Sequence, residues 1–215
     1  MILKLCGFTI ASQAAQAALL GASHVGIVLW TGSARGVDPA HAGPVCAAAA
    51  DAGAIPVGVV VHARGQALVE LARDLRLGVL QLHGEHTLDD AAVLRAAGIP
   101  FWRALRVGQE GVDLGLAARW RAAGAAAIVL DAYVPGVPGG TGAPIDLAQA
   151  GAFVRQGPTV LAGGLTPDSV GAAIRAVRPA GVDVASGIER SPGDKDLAAM
   201  TRFVEQARAA LQESR

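Results

Sequence analysis

The sequence predicts an α/β fold with eight parallel strands buried on both faces, and two observations lead to this prediction. Eight short apolar runs recur along the 215 residues, and none of them alternates as a strand with one solvent-exposed face would. Ala- and Leu-rich segments with helical spacing separate these runs. Such a chain fits a closed (β/α)8 barrel or an open doubly wound sheet, and the count of eight favours the barrel.

Each predicted strand is bounded by Gly, Pro or polar residues. In chain order the strands are Ile2–Leu5, Val25–Leu29, Val57–Val61, Gly78–Leu82, Phe101–Leu105, Ala126–Leu130, Thr159–Ala162 and Val182–Val184. The helices between and after them are Ala11–Leu20, Pro39–Ala52, Gln66–Leu75, Leu88–Ala97, Leu114–Ala122, Leu147–Val154, Pro167–Val177 and Asp196–Leu211. Gly21, Gly53 and Gly98 lie where helices should end, and Thr166 is placed to N-cap a helix whose first residue is Pro167.

The composition predicts one cytoplasmic domain over residues 1–215. Hydrophobic residues make up 52% of the chain and charged residues 17%, which allows a large core and argues against disorder. Lys+Arg and Asp+Glu each number 18, so no net charge would attract nucleic acid or an anionic membrane. The two cysteines cannot build a disulfide framework, and no Cys/His spacing predicts a metal site. We expect a monomer or homodimer that binds a small molecule.

Glycine clusters follow three consecutive predicted strands. Gly139-Gly140-Thr141-Gly142 follows the sixth strand, Gly163-Gly164 the seventh, and Ser186-Gly187 the eighth. Backbone amides in such turns bind anions without Lys or Arg, and the last two strands of a barrel are a frequent phosphate site. Turn glycines are common in a chain with 28 of them, but three clusters in a row favour phosphate binding.

Two ionisable residues lie at strand ends, where a barrel collects its catalytic groups. Cys6 ends the first strand and precedes Gly7, whereas Cys46 lies in an Ala-rich helix and is expected to pack there. A lone cysteine is most often a small buried hydrophobe, but a thiolate at this position would serve as a general base. Asp131 ends the sixth strand, where it would serve as a loop cap, an ion-pair partner or a proton donor.

Arg35 lies in a Gly/Ser loop after the second strand. Most loop arginines are solvated, but in a cleft its planar guanidinium would suit a ligand carboxylate. His83 ends the fourth strand, and we interpret it as a histidine with satisfied hydrogen bonds in preference to a ligand contact. The segment from Asp131 to Gly142 contains Pro135, Gly136 and Pro138, and we expect it to close over a bound ligand as a lid.

These motifs, in this order, resemble the phosphoribosylanthranilate isomerase family over essentially the whole chain. Each motif alone is a weak signal, but their order and spacing together are specific, and the resemblance implies the closed barrel. The matching stretches are Lys4-Leu5-Cys6-Gly7, Ser33-Ala34-Arg35, Leu80-Gln81-Leu82-His83-Gly84, Leu130-Asp131, Gly139-Gly140-Thr141-Gly142, Leu161-Ala162-Gly163-Gly164-Leu165, and Val182-Asp183-Val184-Ala185-Ser186-Gly187-Ile188-Glu189, continued by Gly193, Lys195 and Asp196.

The resemblance implies an Amadori rearrangement of N-(5-phosphoribosyl)anthranilate in tryptophan biosynthesis, with no metal or organic cofactor. It implies that Cys6 is the general base for the sugar C2 proton and that Asp131 is the general acid for the ring oxygen. It assigns Arg35 to the anthranilate moiety. The remaining residues implied for substrate binding, mainly through backbone amides on the phosphate, are Gly142, Gly163, Gly164, Asp183, Ser186 and Gly187.

The chain departs from the family pattern at three places, none of which involves the two implied catalytic residues. Ala34 stands where proline is common, Ile145-Asp146-Leu147 replaces a Phe-Asp-Trp stretch, and Ala185-Ser186 replaces a double serine. These departures therefore bear on substrate affinity and not on reaction type. Two alternatives remain: an isomerase or epimerase of another phosphosugar, and a non-catalytic barrel that binds a phosphorylated metabolite.

Overall fold

Eight parallel strands close into a barrel in the computed structural model of the chain, which describes residues 1–107, 113–132 and 147–213. Each strand pairs with the next one in sequence, and the eighth pairs with the first. The closing register joins Ile2 to Gly181 and Leu5 to Val184. The barrel prediction is confirmed, and the open-sheet alternative is wrong.

The elements alternate as the sequence predicts. The barrel strands are β1 Ile2–Cys6, β2 His24–Val28, β3 Ile55–Val60, β4 Val79–Leu82, β5 Phe101–Val107, β6 Ala127–Ala132, β7 Thr159–Leu161 and β8 Gly181–Val184. The helices are α1 Ala11–Leu20, α2 Gly43–Asp51, α3 Gln66–Asp74, α4 Leu88–Ala96, α5 Leu114–Ala122, α6 Leu147–Val154, α7 Val170–Val177 and α8 Leu197–Glu213. The glycines expected at helix ends, Gly21, Gly53 and Gly98, all have positive φ, as an αL residue after a helix requires.

Two predicted helix starts are wrong. The segment from Pro39 is a separate 3-10 helix, Pro39–His41, and α2 begins only at Gly43 with Pro44 in its first turn, where a missing N–H costs nothing. Thr166 does not cap α7, because its backbone N–H donates to Ser169 Oγ at 3.0 Å and the two residues form a turn. The helix therefore begins at Val170, one turn later than the sequence suggests.

Alternation along the strands divides the core in two. Residues on one face of each strand pack against the helices, and those on the other face point into the barrel. The barrel interior contains the small cluster of Val57, Val79, Trp102, Ala104, Ala127, Val129, Val160 and Ala162. Lys4 and Cys6 alternate with Leu3 and Leu5 of the outer core, so β1 directs a lysine and a cysteine into the interior.

A short antiparallel hairpin that the sequence does not reveal follows β8. Its strands are β9 Glu189–Ser191 and β10 Asp194–Lys195, and they connect a 3-10 helix, Ser186–Ile188, to α8. Gly193 has a φ of 85° at its turn, a conformation that glycine adopts without strain. The hairpin buries Lys195 completely beside the end of β1.

None of the helices in the described part of the chain is long and apolar enough to cross a membrane.

Candidate active site

One cavity opens at the carboxyl ends of the barrel strands, where the sequence places its candidate residues. Seven of the nine line it: Cys6, Arg35, Asp131, Gly163, Gly164, Asp183 and Ser186. Gly187 does not line the cavity. Gly142, the other residues of its glycine cluster and the predicted lid residues Pro135, Gly136 and Pro138 lie outside the described residues.

Cys6 lies at the end of β1 beside a buried lysine. Lys4 Nζ donates a hydrogen bond to Asp183 Oδ2 at 2.6 Å, and its positive charge also acts on the nearby Cys6 side chain. Gly26 of the neighbouring strand β2 makes room for both groups. A Cβ at Gly26 would lie 2.5 Å from Cys6 Sγ and 3.0 Å from Lys4 Nζ.

The charges around Cys6 have opposing effects on its ionisation. Burial raises the pKa of the thiol above its usual value, Lys4 opposes that rise, and the carboxylate of Asp183 adds to it. Burial lowers the pKa of Lys4, but Asp183 and Cys6 raise it more, so the pKa is raised and the ammonium stays charged. The base candidate therefore lies next to a fixed positive charge.

Asp131 reaches the cavity from β6, three strands away from β1 around the barrel. It is buried, and its neighbour in the sheet register is Arg106 of β5, which also lines the cavity. A carboxyl and a thiol thus reach one cavity from well-separated strands. A ligand between them would meet one ionisable group on each side.

Arg35 is held in a bidentate ion pair with Glu189. Its Nη2 lies 2.7 Å from Glu189 Oε2, and its Nε lies 3.0 Å and 2.9 Å from the two carboxylate oxygens. Lys195 Nζ donates to the same carboxylate at 2.6 Å and to the backbone oxygen of Cys6 at 2.5 Å. Arg35 is therefore fixed at the cavity wall and not a solvated loop arginine.

Glu189 keeps its negative charge despite burial. Burial raises the pKa of this carboxyl, but hydrogen bonds from Arg35 and Lys195 lower it further, and the pKa falls below its ordinary value. The sequence marks Glu189 only as part of a matching stretch. Its contact with Arg35, 154 residues away along the chain, has no local signal.

The last two glycine clusters form adjoining loops. Gly163 and Gly164 have φ values of 85° and 63°, and with Ser186 they line the cavity. A Cβ at Gly187 would lie 2.0 Å from the backbone oxygen of Leu165, so only glycine allows the two loops to approach this closely. Gly187 thus supports the wall that the other three residues form.

Two polar residues of β4 and its end also line the cavity. The amide nitrogen of Gln81 lies 2.7 Å from His83 Nε2. Burial and the surrounding cations lower the pKa of His83 to about 3, so the imidazole is neutral at physiological pH. His83 has a hydrogen-bond partner, as the sequence interpretation favours, and it also lies at the cavity.

Two buried oxygens at the cavity have no hydrogen-bond partner among the described residues. They are Oδ1 of Asp183 and Oε1 of Gln81. Buried polar atoms are nearly always satisfied, so a ligand hydroxyl or amine would suit these positions. In the same part of the chain, no group of three or more His, Cys, Asp or Glu side chains could hold a metal ion.

The chain is similar to proteins of one family over nearly its whole length. The family model of N-(5'phosphoribosyl)anthranilate (PRA) isomerase matches residues 3–206. The N-(5'-phosphoribosyl)anthranilate isomerase of Pseudomonas aeruginosa is 40% identical over 207 residues, which cover 96% of this chain and 95% of that protein. The enzyme of the same name from Chromohalobacter salexigens is 41% identical over 203 residues, which cover 94% and 92% of the two chains.

A solved structure agrees with the barrel fold. It is a phosphoribosyl anthranilate isomerase in complex with reduced 1-(o-carboxyphenylamino)-1-deoxyribulose 5-phosphate. This structure superposes with a TM-score of 0.81 at 29% identity and covers 97% of this chain and 100% of its own. The isomerase from Thermus thermophilus gives a TM-score of 0.82 at 29% identity over the full length of both chains. The chain belongs to the N-(5'-phosphoribosyl)anthranilate isomerase family.

Proposed function

We propose that this protein converts N-(5'-phosphoribosyl)anthranilate into 1-(2-carboxyphenylamino)-1-deoxyribulose 5-phosphate in tryptophan biosynthesis. The observation that carries the proposal is the convergence of Cys6, Asp131 and Arg35 with two glycine loops on one cavity. The related isomerase solved with a reduced form of this product supports the choice of substrate. Because the substrate is a soluble metabolite, we place the enzyme in the cytoplasm. We also propose that the enzyme is a monomer or homodimer and has a single domain.

The first step is opening of the ribose ring. Asp131, in its protonated form, donates its proton to the furanose oxygen, and the C1–O bond breaks as the anthranilate nitrogen forms a Schiff base with C1. The developing positive charge on nitrogen makes the C2 proton acidic. Asp131 is left as a carboxylate.

The second step moves the proton. The Cys6 thiolate removes the proton from C2, and the electron pair flows to the Schiff base to give an enolamine. Protonation at C1 and loss of the C2 hydroxyl proton then give the ketone. Over the two steps, protons enter the substrate at the ring oxygen and at C1, and protons leave it from C2 and from the C2 hydroxyl. The product is therefore an isomer of the substrate, and no redox partner is needed. Each positioned proton-transfer group contributes about 10²- to 10⁴-fold in rate.

The two anionic ends of the substrate are bound at separate places. Arg35, fixed by Glu189, pairs with the anthranilate carboxylate, since a planar guanidinium suits a carboxylate geometrically. The loops with Gly163, Gly164 and Ser186 bind the phosphate through backbone amides, Gly187 keeps the loops in contact, and Gly142 is proposed to add a further amide. The unpaired Oδ1 of Asp183 accepts a hydrogen bond from a ribose hydroxyl.

A fluorescence assay tests this proposal. Purified protein is mixed with freshly prepared phosphoribosylanthranilate, and wild type should remove the anthranilate-type fluorescence faster than spontaneous breakdown does. Arg35→Ala should raise KM by about tenfold or more, because a charge-assisted pair contributes about 1.5–3 kcal/mol. An enzyme for another phosphosugar would not need Arg35 and would leave phosphoribosylanthranilate at the buffer rate.

The binding-only alternative makes a different prediction in the same experiment. A non-catalytic barrel would hold the reduced product without turning over the substrate, and Cys6→Ser would not change any rate. Turnover by wild type above the buffer rate excludes that alternative.

A further inference from the structure

Lys4 is a fully buried charge that the proposed reaction does not use. It lies on β1 two residues before Cys6, so both side chains lie on the interior face of the barrel. Taking an ammonium out of water costs several kcal/mol unless it is paired. A fold retains such a group beside its catalytic base at a cost, which suggests a role for the charge itself.

The Lys4 ammonium and the Cys6 sulfur occupy the space that a side chain at Gly26 would take. Lys4 Nζ is 2.6 Å from Asp183 Oδ2, and Lys4 and Cys6 interact electrostatically. Cys6 Sγ and Lys4 Nζ both lie within 3.0 Å of the position that a Gly26 Cβ would take. The ammonium is thus held between an acceptor that anchors it and the sulfur.

We propose that Lys4 is a positioning residue for Cys6: its ammonium, anchored by Asp183, donates a hydrogen bond to the sulfur and stabilises the thiolate that removes the C2 proton. The proposal rests on the role of Cys6 proposed above. Asp183 has two roles, because its Oδ2 accepts a hydrogen bond from Lys4 and its Oδ1 remains for the substrate.

The charges around the thiol support this assignment. Burial raises the pKa of Cys6, Lys4 lowers it more strongly than Asp183 raises it, and Lys195 adds a weaker lowering effect. His24 of β2 and His83 beyond β4 also face Lys4, but their pKa values fall to about 4 and about 3, so both are neutral.

Among the described residues, the other charged groups at the cavity are paired or lie on other strands. Arg35 and Lys195 share the carboxylate of Glu189. Asp131 and Arg106 come from β6 and β5. Lys4 is therefore the cation that acts most strongly on the sulfur.

Alkylation of Cys6 by iodoacetamide as a function of pH measures its ionisation without substrate. A Cys46→Ser background leaves one thiol, since Cys6 and Cys46 are the only cysteines. Lys4→Met should move the midpoint upward by about one pH unit or more, which slows alkylation about tenfold below the midpoint. Lys4→Arg keeps the charge and should restore most of the reactivity.

Asp183→Asn distinguishes an effect of Lys4 on the ionisation of Cys6 from a structural role of the Lys4–Asp183 ion pair. Removing this carboxylate should move the Cys6 midpoint downward, opposite to Lys4→Met, because the anion opposes the thiolate. An ion pair with a purely structural role would make both substitutions act in the same direction. Should Lys4→Met fail to fold, a downward shift in Asp183→Asn still supports the proposal, and an unchanged or upward midpoint overturns it.

The pH profile of kcat/KM gives a second, independent measurement. A base must be deprotonated, so activity rises with pH through the Cys6 pKa, and Lys4→Met should move this rise upward while the high-pH plateau stays within a few-fold of wild type. A uniform loss at every pH overturns the proposal. An inactive wild type with the expected alkylation shifts would instead contradict the proposed function alone.

Discussion

At the scale of single residues, the site pairs its buried charges. Lys4 is anchored by Asp183, and Arg35 and Lys195 share the carboxylate of Glu189. A buried charge that loses its partner costs several kcal/mol, so these pairs fix both the protonation state and the direction of each side chain. The reactive groups are thereby aligned before substrate arrives, which reduces the cost of ordering them during the reaction.

Glu189→Gln tests whether this pairing positions Arg35. The amide keeps the size of the side chain but loses the charge that holds the guanidinium in place. We expect KM for phosphoribosylanthranilate to rise about tenfold, since a hydrogen bond to a charged group contributes about 1.5–3 kcal/mol. Steady-state kinetics measure KM and kcat separately, and kcat should fall much less than KM rises.

Glu213→Gln is the matched control for that change. Glu213 also pairs with an arginine, Arg175 at 3.0 Å, but both side chains are more than half exposed. Exposed pairs contribute little, so the control should keep the wild-type KM. Equal KM values in the two variants would show that Glu189 has no positioning role.

At the scale of elements, the β9–β10 hairpin links the first and last strands of the barrel through hydrogen bonds. Lys195 from β10 donates to the backbone oxygen of Cys6 on β1 and, at 3.4 Å, to that of Ala185 after β8. The hairpin therefore holds β1 and β8 together at the level of the cavity. Its two strands are polar and only a few residues long, which explains why the hydrophobic pattern of the sequence does not reveal the hairpin.

Lys195→Met should lower the free energy of unfolding by about 3–5 kcal/mol, because it leaves the buried carboxylate of Glu189 without one of its two cations. Urea unfolding followed by circular dichroism measures the change. Arg190→Gln in the same hairpin is the control, since its pair with Asp194 is exposed, and it should unfold like wild type. Indistinguishable urea unfolding midpoints for Lys195→Met and Arg190→Gln would refute the role of Lys195 in holding β1 and β8 together.

Most strands can be predicted from the sequence, because barrel strands are buried on both faces and therefore appear as continuous apolar runs. The runs at Val57–Val61 and Gly78–Leu82, for example, match β3 and β4 to within two residues at each end. The start of α7 is not predictable in this way, because Thr166 and Ser169 both fit an N-cap and a tertiary turn decides between them. Local patterns identify an element, whereas tertiary contacts set its first turn.

At the scale of the whole molecule, the site assembles only when the barrel closes. Lys4 and Asp183 are 179 residues apart, and Lys195 and Cys6 are 189 apart. The chain has no net charge, so the proposed binding of an anionic substrate depends on Arg35 and on backbone amides of the cavity and not on a global field. Closure of β1 against β8 therefore creates the surroundings of Cys6.

The sequence predicts which strand ends carry chemistry but not which charges surround them. Cys6, Arg35 and Asp131 stand out because each is a polar residue at a predicted strand end or loop. Lys4 and Glu189 do not stand out, since the Asp183 partner of Lys4 and the Arg35 partner of Glu189 come from the opposite end of the chain and no local spacing signals such a contact. Only the closed barrel brings them together.

Turnover and binding in Cys6→Ser and Asp131→Asn test directly whether these two residues move the protons of the reaction. Turnover is followed by the loss of substrate fluorescence, and affinity for the reduced product is measured by titration. Each variant should lose about 10²-fold or more in kcat while its affinity changes only a few-fold, because both groups act on protons and not on binding. Wild-type turnover in either variant would contradict the assigned roles.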